Sequence, residues 1–317
     1  MYEKILVPLD GSKLAEVALP YAEELAGKLG SEVILIHVSD SGSYQTDQSI
    51  QSYMQQIVEA TAYNAEKHLG MLVAKRIEVS SEIIAGNPAE EIAAYADKAD
   101  IDLIVLATHG RTGIERWALG SVANKIIRGS RQPVMLVRAK GDWPDVREQS
   151  VLRKILVPVD SSPESEAIMP YIEKLASRLK AELILLRVVE QTYHVYGDSQ
   201  WITKIPYSEK EMEPMKARAS GYLRKVEDSL KDRGITTESL VRAGHPAQEI
   251  IKLAQEINID LVAMSTHAQT GIYRWVFGSI ADKVLHAGTT PLLVVKNKKS
   301  EYARDEAIID KTQVSLV

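Results

Sequence analysis

The sequence predicts an α/β protein made of two tandem doubly wound five-stranded parallel-sheet units. Three observations lead there. The chain repeats itself, short apolar runs alternate with amphipathic helical stretches, and those runs lack the in–out alternation of a half-exposed sheet. Residues 4–38 align with 154–188 at an offset of 150 without a gap, and 18 of the 35 positions are identical. The match resumes at offset 158, where ATHGRTGIERWALGSVANKII (107–127) answers STHAQTGIYRWVFGSIADKVL (265–285). One ancestral unit has been used twice, so any site argued for one half has a copy to be compared with.

The elements of the first half follow in order. Lys4–Leu9 is a short apolar run ending at Asp10-Gly11-Ser12 and reads as a buried strand. Ser12 stands as a helix N-cap, and Leu14, Val17, Ala18, Tyr21, Leu25 and Leu29 then recur every three or four residues, one face of a helix. The copy of that start is Ser162-Pro163, a cap followed by proline at the first helical position. Glu32–Val38 is a second strand, residues 49–70 are helical, and Ile77–Ile84 is a third strand. Asn87-Pro88-Ala89-Glu90 opens another helix, with Asn87 as cap and Glu90 at its third position. Asp102–Ala107 is the fourth strand, Gly120–Arg128 the last helix and Pro133–Val137 the fifth strand. Uninterrupted apolar strands separated by amphipathic helices mean a parallel sheet covered on both faces, and right-handed crossovers make it doubly wound. The second half repeats the plan with eight extra residues. They accompany an aromatic-bearing stretch, Tyr193 to Tyr207, that lacks helical periodicity until about residue 208. The expected division is a first domain at 1–140, a linker at 141–150, a second domain at 151–297 and a polar tail at 298–317.

Bulk composition narrows the function. The chain has 317 residues, enough for two domains of ordinary size, with 45% hydrophobic and 26% charged residues. A formal net charge of −5 argues against general nucleic-acid binding, which calls for a basic excess. The absence of cysteine excludes disulfides, thiolate metal sites and cysteine nucleophiles. The apolar runs fall far short of a membrane span, and Met1 leads straight into a strand pattern without a basic region and apolar run. A cytoplasmic protein without membrane contact is expected.

In doubly wound sheets, ligands bind beyond the carboxyl ends of the strands, where strand order reverses. Two segments of each half fall there. The first is the turn after strand one, Pro8-Leu9-Asp10-Gly11-Ser12, repeated as Pro158-Val159-Asp160-Ser161-Ser162. Its aspartate can accept hydrogen bonds from sugar hydroxyls, or it can be an ordinary aspartate at a helix start; residue type leaves both open. The second is the long turn after strand four, Ala107-Thr108-His109-Gly110, nine residues, then Gly120-Ser121 opening a helix. Glycine permits close backbone approach and positive φ, and the unpaired amides of a helix start attract phosphate. The Ser121 hydroxyl can cap the helix or donate to a phosphate oxygen, with Arg111, Arg116 and Lys125 adding charge nearby. A glycine serving helix packing alone is the plainer alternative.

Searches for catalytic layouts come back negative: no GxxxxGK[ST] loop, GxGxxG, HExxH or GxSxG is present. His109 and His267 are the only histidines in matching repeat positions. Lying beside the phosphate turn without an evident partner, they are ligand-contact candidates rather than catalysts. Trp117 and Trp275 also match, as apolar loop anchors or, alternatively, as stacking surfaces.

These residues resemble the universal stress protein family in its tandem two-domain form, over about residues 1–140 and 151–297. Nucleotide-binding members of that family carry G-x-x-G, nine residues, then G-[ST] after strand four, with an aspartate after strand one. Ala107-x-x-Gly110-(nine)-Gly120-Ser121 matches with one departure, alanine for the first glycine. Gly86-Asn87-Pro88-Ala89 and its copy Gly244-His245-Pro246-Ala247 are also similar. The resemblance implies a Rossmann-like domain of the adenine nucleotide alpha hydrolase-like kind, with ATP or AMP as ligand and Mg2+ as a companion of ATP. It implies that Asp10 faces the ribose or base, that Val38 meets adenine through its backbone, and that Gly110, Gly120 and Ser121 cradle phosphates. Pro8, Ala107, His109 and Val122 complete that site. It also implies association through the fifth strands, between the two halves or in a homodimer. Val134–Val137 and Leu292–Val295 would otherwise be bare sheet edges.

The second half departs further. Ser265-x-x-Ala268-(nine)-Gly278-Ser279 lacks both leading glycines, Gln269 replaces Arg111, and Ser161 replaces Gly11. The expectation is tighter nucleotide binding in the first half and weaker binding by Pro158, Asp160, Val188, His267, Ala268, Gly278 and Ser279. The leading functional reading is a nucleotide-binding regulatory protein of the stress response, acting on an unknown protein partner. The alternatives are a slow ATPase and an interaction scaffold without nucleotide. The SGGxDS and HIGH signatures of substrate-activating relatives are absent.

Overall fold

The computed structural model describes residues 1–39, 48–68, 77–108, 119–138, 151–191, 193–197, 202–266 and 278–296. The first half runs β1 (Lys4–Pro8), a 3-10 turn (Ala15–Ala18), α1 (Leu19–Leu29), β2 (Glu32–Ser39), α2 (Gln48–His68), β3 (Val79–Ala85), α3 (Pro88–Lys98), β4 (Leu103–Ala107), α4 (Ser121–Gly129) and β5 (Val134–Val137). The second half runs β6 (Lys154–Pro158), α5 (Pro163–Glu166), α6 (Met169–Leu179), β7 (Glu182–Glu190), β8 (Tyr193–Gly197), β9 (Ile202–Pro206), α7 (Glu209–Lys231), β10 (Thr237–Gly244), α8 (Pro246–Glu256), β11 (Leu261–Thr266), α9 (Ser279–Ala287) and β12 (Leu292–Lys296). The linker and tail expected at 141–150 and 298–317 lie outside the described residues.

All the strands except β8 and β9 form one sheet in the order β10-β7-β6-β11-β12-β5-β4-β1-β2-β3. Within each half the pairing is parallel, and strand order reverses between β1 and β4 and again between β6 and β11. The halves meet in one antiparallel pairing of fifth strands, Val134 opposite Val294, Met135 opposite Leu293 and Leu136 opposite Leu292. This pairing covers two edges that would otherwise present unpaired backbone groups.

Successive strand residues face opposite sides. Ile5, Val7, Leu35 and Val105 join Leu25 of α1 and Met54 of α2 in one apolar layer. Leu6, Ile36, Ile104 and Leu106 join Ile92 of α3 and Ile126 of α4 in the other. Both layers continue through the second half, and each fully buried Leu or Ile contributes about 2 kcal/mol.

The helix starts follow their local sequence. Asn87 accepts from the Ala89 N–H at 3.3 Å ahead of Pro88, and Ser162 accepts from the Ser165 N–H at 3.1 Å ahead of Pro163. Ser12 does the same for Ala15 at 3.2 Å, yet the turn it opens is 3-10 and α1 begins only at Leu19. Pro20 and Pro170 explain the interruption, since proline offers no N–H to the preceding turn and its ring crowds that turn's carbonyl. The extra stretch of the second half is a hairpin, with Tyr193 opposite Pro206 and Gly197 opposite Ile202. The Ser208–Glu211 capping box then starts α7.

Side chains also tie the halves together. Buried Glu24 pairs with Lys28 at 2.5 Å and accepts from the Val151 N–H at 2.5 Å. Lys174 donates to the Met1 carbonyl at 2.6 Å. Buried Lys296 donates to the carbonyls of Arg128, at 3.0 Å, and Ser130, closing the end of α4. Among the described residues no helix is long and apolar enough to cross a membrane.

Candidate nucleotide cleft

The carboxyl ends of β6, β7 and β11 open into a cleft of about 1150 Å³ at the point where strand order reverses. It brings together Pro158, Asp160, Val188, Gly278 and Ser279, the five expected second-half residues that are described. His267 and Ala268 lie outside the described residues, as do Gln269 and Trp275. In the first half Pro8, Asp10, Val38, Ala107, Gly120, Ser121 and Val122 occupy the matching ends of strands and helix. His109, Gly110, Arg111, Arg116 and Trp117 lie outside the described residues.

The turn after the first strand has the same build in both halves. Asp10 Oδ1 accepts from the Ser12 N–H at 2.9 Å, and Asp160 Oδ1 accepts from the Ser162 N–H at the same distance. Asp160 also accepts from the Ser162 hydroxyl at 2.5 Å. The aspartate therefore shapes its own turn, and the serine after it does the capping. Burial pushes the Asp160 carboxyl up, but the Ser162 and Ser165 bonds and the Arg187 charge outweigh it, holding the pKa below the usual aspartate value. A carboxylate kept ionised at the carboxyl end of β6 suits a sugar hydroxyl. Gly11 has φ +79° and Ser161 φ +64°, so replacing the glycine left the turn's backbone in place.

The last helices are also alike. Gly120 (φ −56°, ψ 146°) and Gly278 (φ −55°, ψ 141°) precede α4 and α9, and neither helix has a side-chain cap. Two expectations are corrected here. Ser121 does not cap its helix, because it sits one residue inside the start. Glycine at 120 and 278 is not required for positive φ, because any residue adopts these angles; what it supplies is an unobstructed backbone. The Gly120 N–H is bound to the Thr108 carbonyl at 2.8 Å. The next amides along each helix have no partner in their own helix and carry its positive end.

Several cleft residues were not anticipated. Arg128 reaches the second-half cleft from α4 of the first half, held by Asp282 at 3.1 Å and Asn124 at 2.7 Å. Arg187, Met215, Arg218 and Tyr222 line the side under α7. Tyr222 donates to Glu166 at 2.8 Å; burial, then this carboxylate, raise its pKa well above the ordinary tyrosine value. Arg187 directly precedes Val188 and differs from its repeat partner His37, a signal available in the alignment of the halves. Arg128 left no such signal, because its place depends on how the halves dock. Among the described residues no cluster of three or more His, Cys, Asp or Glu is arranged to hold a metal ion.

The model of the universal stress protein family matches residues 1–138 and 152–296. A universal stress protein of Methanocaldococcus jannaschii is 32% identical over 141 residues, 44% of this chain and 83% of the relative. One from Mycobacterium tuberculosis is 23% identical over 313 residues, 92% of this chain and 96% of the relative. The crystal structure of a universal stress protein from Archaeoglobus fulgidus superposes with a TM-score of 0.66 at 18% identity, covering 93% of this chain and 99% of the other. That last likeness is one of fold.

Proposed function

The chain belongs to the universal stress protein family in tandem form, and from that premise we propose that it is a regulatory protein that binds adenine nucleotide, ATP or AMP. The single observation that carries the reading is the convergence of Pro158, Asp160, Val188, Gly278 and Ser279 on one cleft. The ribose meets the Asp160 carboxylate, the adenine meets the main chain at Val188, and the phosphates meet the first amides of α9. Arg128 adds the positive charge those phosphates require. The same arrangement in the first half uses Pro8, Asp10, Val38, Ala107, His109, Gly110, Gly120, Ser121 and Val122, and the first half is the tighter site. The two units divide at the 141–150 linker.

Regulation follows from the position of Arg128. It belongs to one half and lines the cleft of the other, where it pairs with Asp282. A phosphate competing with Asp282 for this guanidinium links occupancy of the cleft to the contact between the halves. Changed pairing with a protein partner is the output.

Mass spectrometry of small molecules released from the purified protein tests the reading first, expecting ATP or AMP. Calorimetric titration of the full chain with ATP and AMP, with and without Mg2+, tests it second. A protein that carries no nucleotide and gives no binding heat with either would overturn the reading in favour of an interaction scaffold. Release of labelled phosphate over time would make it a hydrolase.

A further inference from the structure

We propose that the second-half cleft selects an adenine nucleotide phosphorylated on its ribose, with Arg187 and Arg218 holding that additional phosphate. The inference rests on the nucleotide reading above and narrows it for one half. Both arginines line the cleft, Arg187 from the end of β7 and Arg218 from α7. Arg187 is half-buried, and neither guanidinium has a hydrogen bond or ion pair among the described residues. A guanidinium's planar fork matches a phosphate in bidentate fashion.

The acids at this end of the cleft are already engaged. Asp160 accepts from Ser162, Glu166 accepts from Tyr222, and Glu190 is not free. Arg187 and Asp160 line the same cleft, and the Arg187 charge acts on the carboxylate that meets the ribose. In dinucleotide-binding sheets an acid at this place reads a ribose hydroxyl, and an arginine beside it accommodates a ribose phosphate. The 5′-phosphates meet the α9 amides and Arg128, for which they compete with Asp282. At about 1150 Å³ the cleft lies at the upper end of small-molecule sites, which reach about 1,000 Å³, so a second phosphate has room.

The first half lacks this pair. The copy of Arg187 is His37, buried with Nδ1 2.9 Å from the Leu9 carbonyl oxygen. Offset 158 superimposes the buried residues of α2 and α7 (Met54 on Met212, Thr61 on Ala219) and gives Ala60 as the copy of Arg218. Among the described residues the Arg187–Arg218 pair has no counterpart in the first half.

The test is calorimetric titration of the full chain with 5′-AMP, adenosine 3′,5′-bisphosphate and adenosine 2′,5′-bisphosphate. One bisphosphate is expected to bind about tenfold tighter than 5′-AMP or more, the worth of one charge-assisted hydrogen bond. Arg187→His, which copies the first half, and Arg218→Ala, on an exposed helical position, are each expected to bring the ratio toward one. Equal affinities in the unaltered protein, or a preference that survives both substitutions, would overturn the inference while the nucleotide reading stands. Absence of binding by 5′-AMP, ATP and both bisphosphates would remove the nucleotide reading itself. Inorganic phosphate displacing a bisphosphate as well as unlabelled bisphosphate does would assign the arginines to free phosphate, and would also overturn the proposal.

Discussion

The two halves share a backbone and differ in the side chains set above their strand ends. The turn after the first strand has a left-handed residue in both, Gly11 in one and Ser161 in the other, with the same aspartate-to-serine hydrogen bond. The last helix begins at a glycine with nearly the same angles in both. Yet Arg187, Arg218 and Tyr222 stand where the first half has His37, Ala60 and Asn64. His37 lies against the Leu9 carbonyl and Asn64 donates to buried Glu23, so those first-half positions serve internal bonding. After duplication, the backbone elements at the strand ends were kept because both sheets depend on them. The side chains above them diverged, to internal bonding at His37 and Asn64 in the first half and to cleft-lining Arg187, Arg218 and Tyr222 in the second.

The sharpest way to break this comparison is to close one helix start at a time. Gly278→Val and Gly120→Val retain compatible backbone angles and put a branched side chain over the first amides. Each is expected to abolish nucleotide binding in its own half. Loss of two charge-assisted bonds at about 1.5 kcal/mol each corresponds to about 100-fold in affinity. Titration of the two variants separates the halves: greater loss from Gly278→Val than from Gly120→Val would reverse their expected ranking.

The joint between the halves comes next. Leu293 is fully buried opposite Met135 in the only antiparallel pairing of the long sheet. Leu293→Ala is expected to cost about 3 kcal/mol in urea denaturation. If the halves unfold as one unit, the whole transition shifts; a split into two transitions would show that the joint, rather than each core, couples them.

Acid titration sharpens the comparison at Asp160. Its folded pKa lies below the unfolded value, so its contribution to stability is fully present above the ordinary aspartate pKa and is lost as pH falls through the folded one. Asp160→Asn is expected to flatten the acid limb of a stability–pH curve, and an unchanged limb would contradict the hydrogen-bonded carboxylate. The smallest effect belongs to Ser161. Removing the β-carbon from a left-handed residue relieves about 1 kcal/mol, and the added freedom of glycine in the unfolded chain offsets about half. Ser161→Gly should therefore raise stability by about 0.5 kcal/mol and Gly11→Ser lower it by a similar amount, read from paired denaturation curves.

Much of this was legible before any coordinates. Asn87-Pro88 and Ser162-Pro163 announce helix starts because capping is decided within four residues. The strands were legible because both faces of a covered parallel sheet are apolar. The hairpin of 193–206 was missed because it is short, stands apart from the long sheet and sits beside an aromatic stretch without a strong period. Of the two properties that glycine offers, positive φ is not used at Gly120, since the helix starts from an ordinary extended residue.

What the sequence determined by itself is therefore everything carried by near neighbours and by repetition: the strand and helix order, the caps, the duplicated unit, and five residues that line the second cleft. Only the tertiary structure decided that two five-stranded sheets become one, that Arg128 of one half enters the cleft of the other, and that Arg187 and Arg218 line that same cleft. The physical reason is range. Local hydrogen bonding and hydrophobic period are written within a few residues, whereas the meeting of Arg128 with Asp282, 154 positions apart, exists only once the fifth strands have paired.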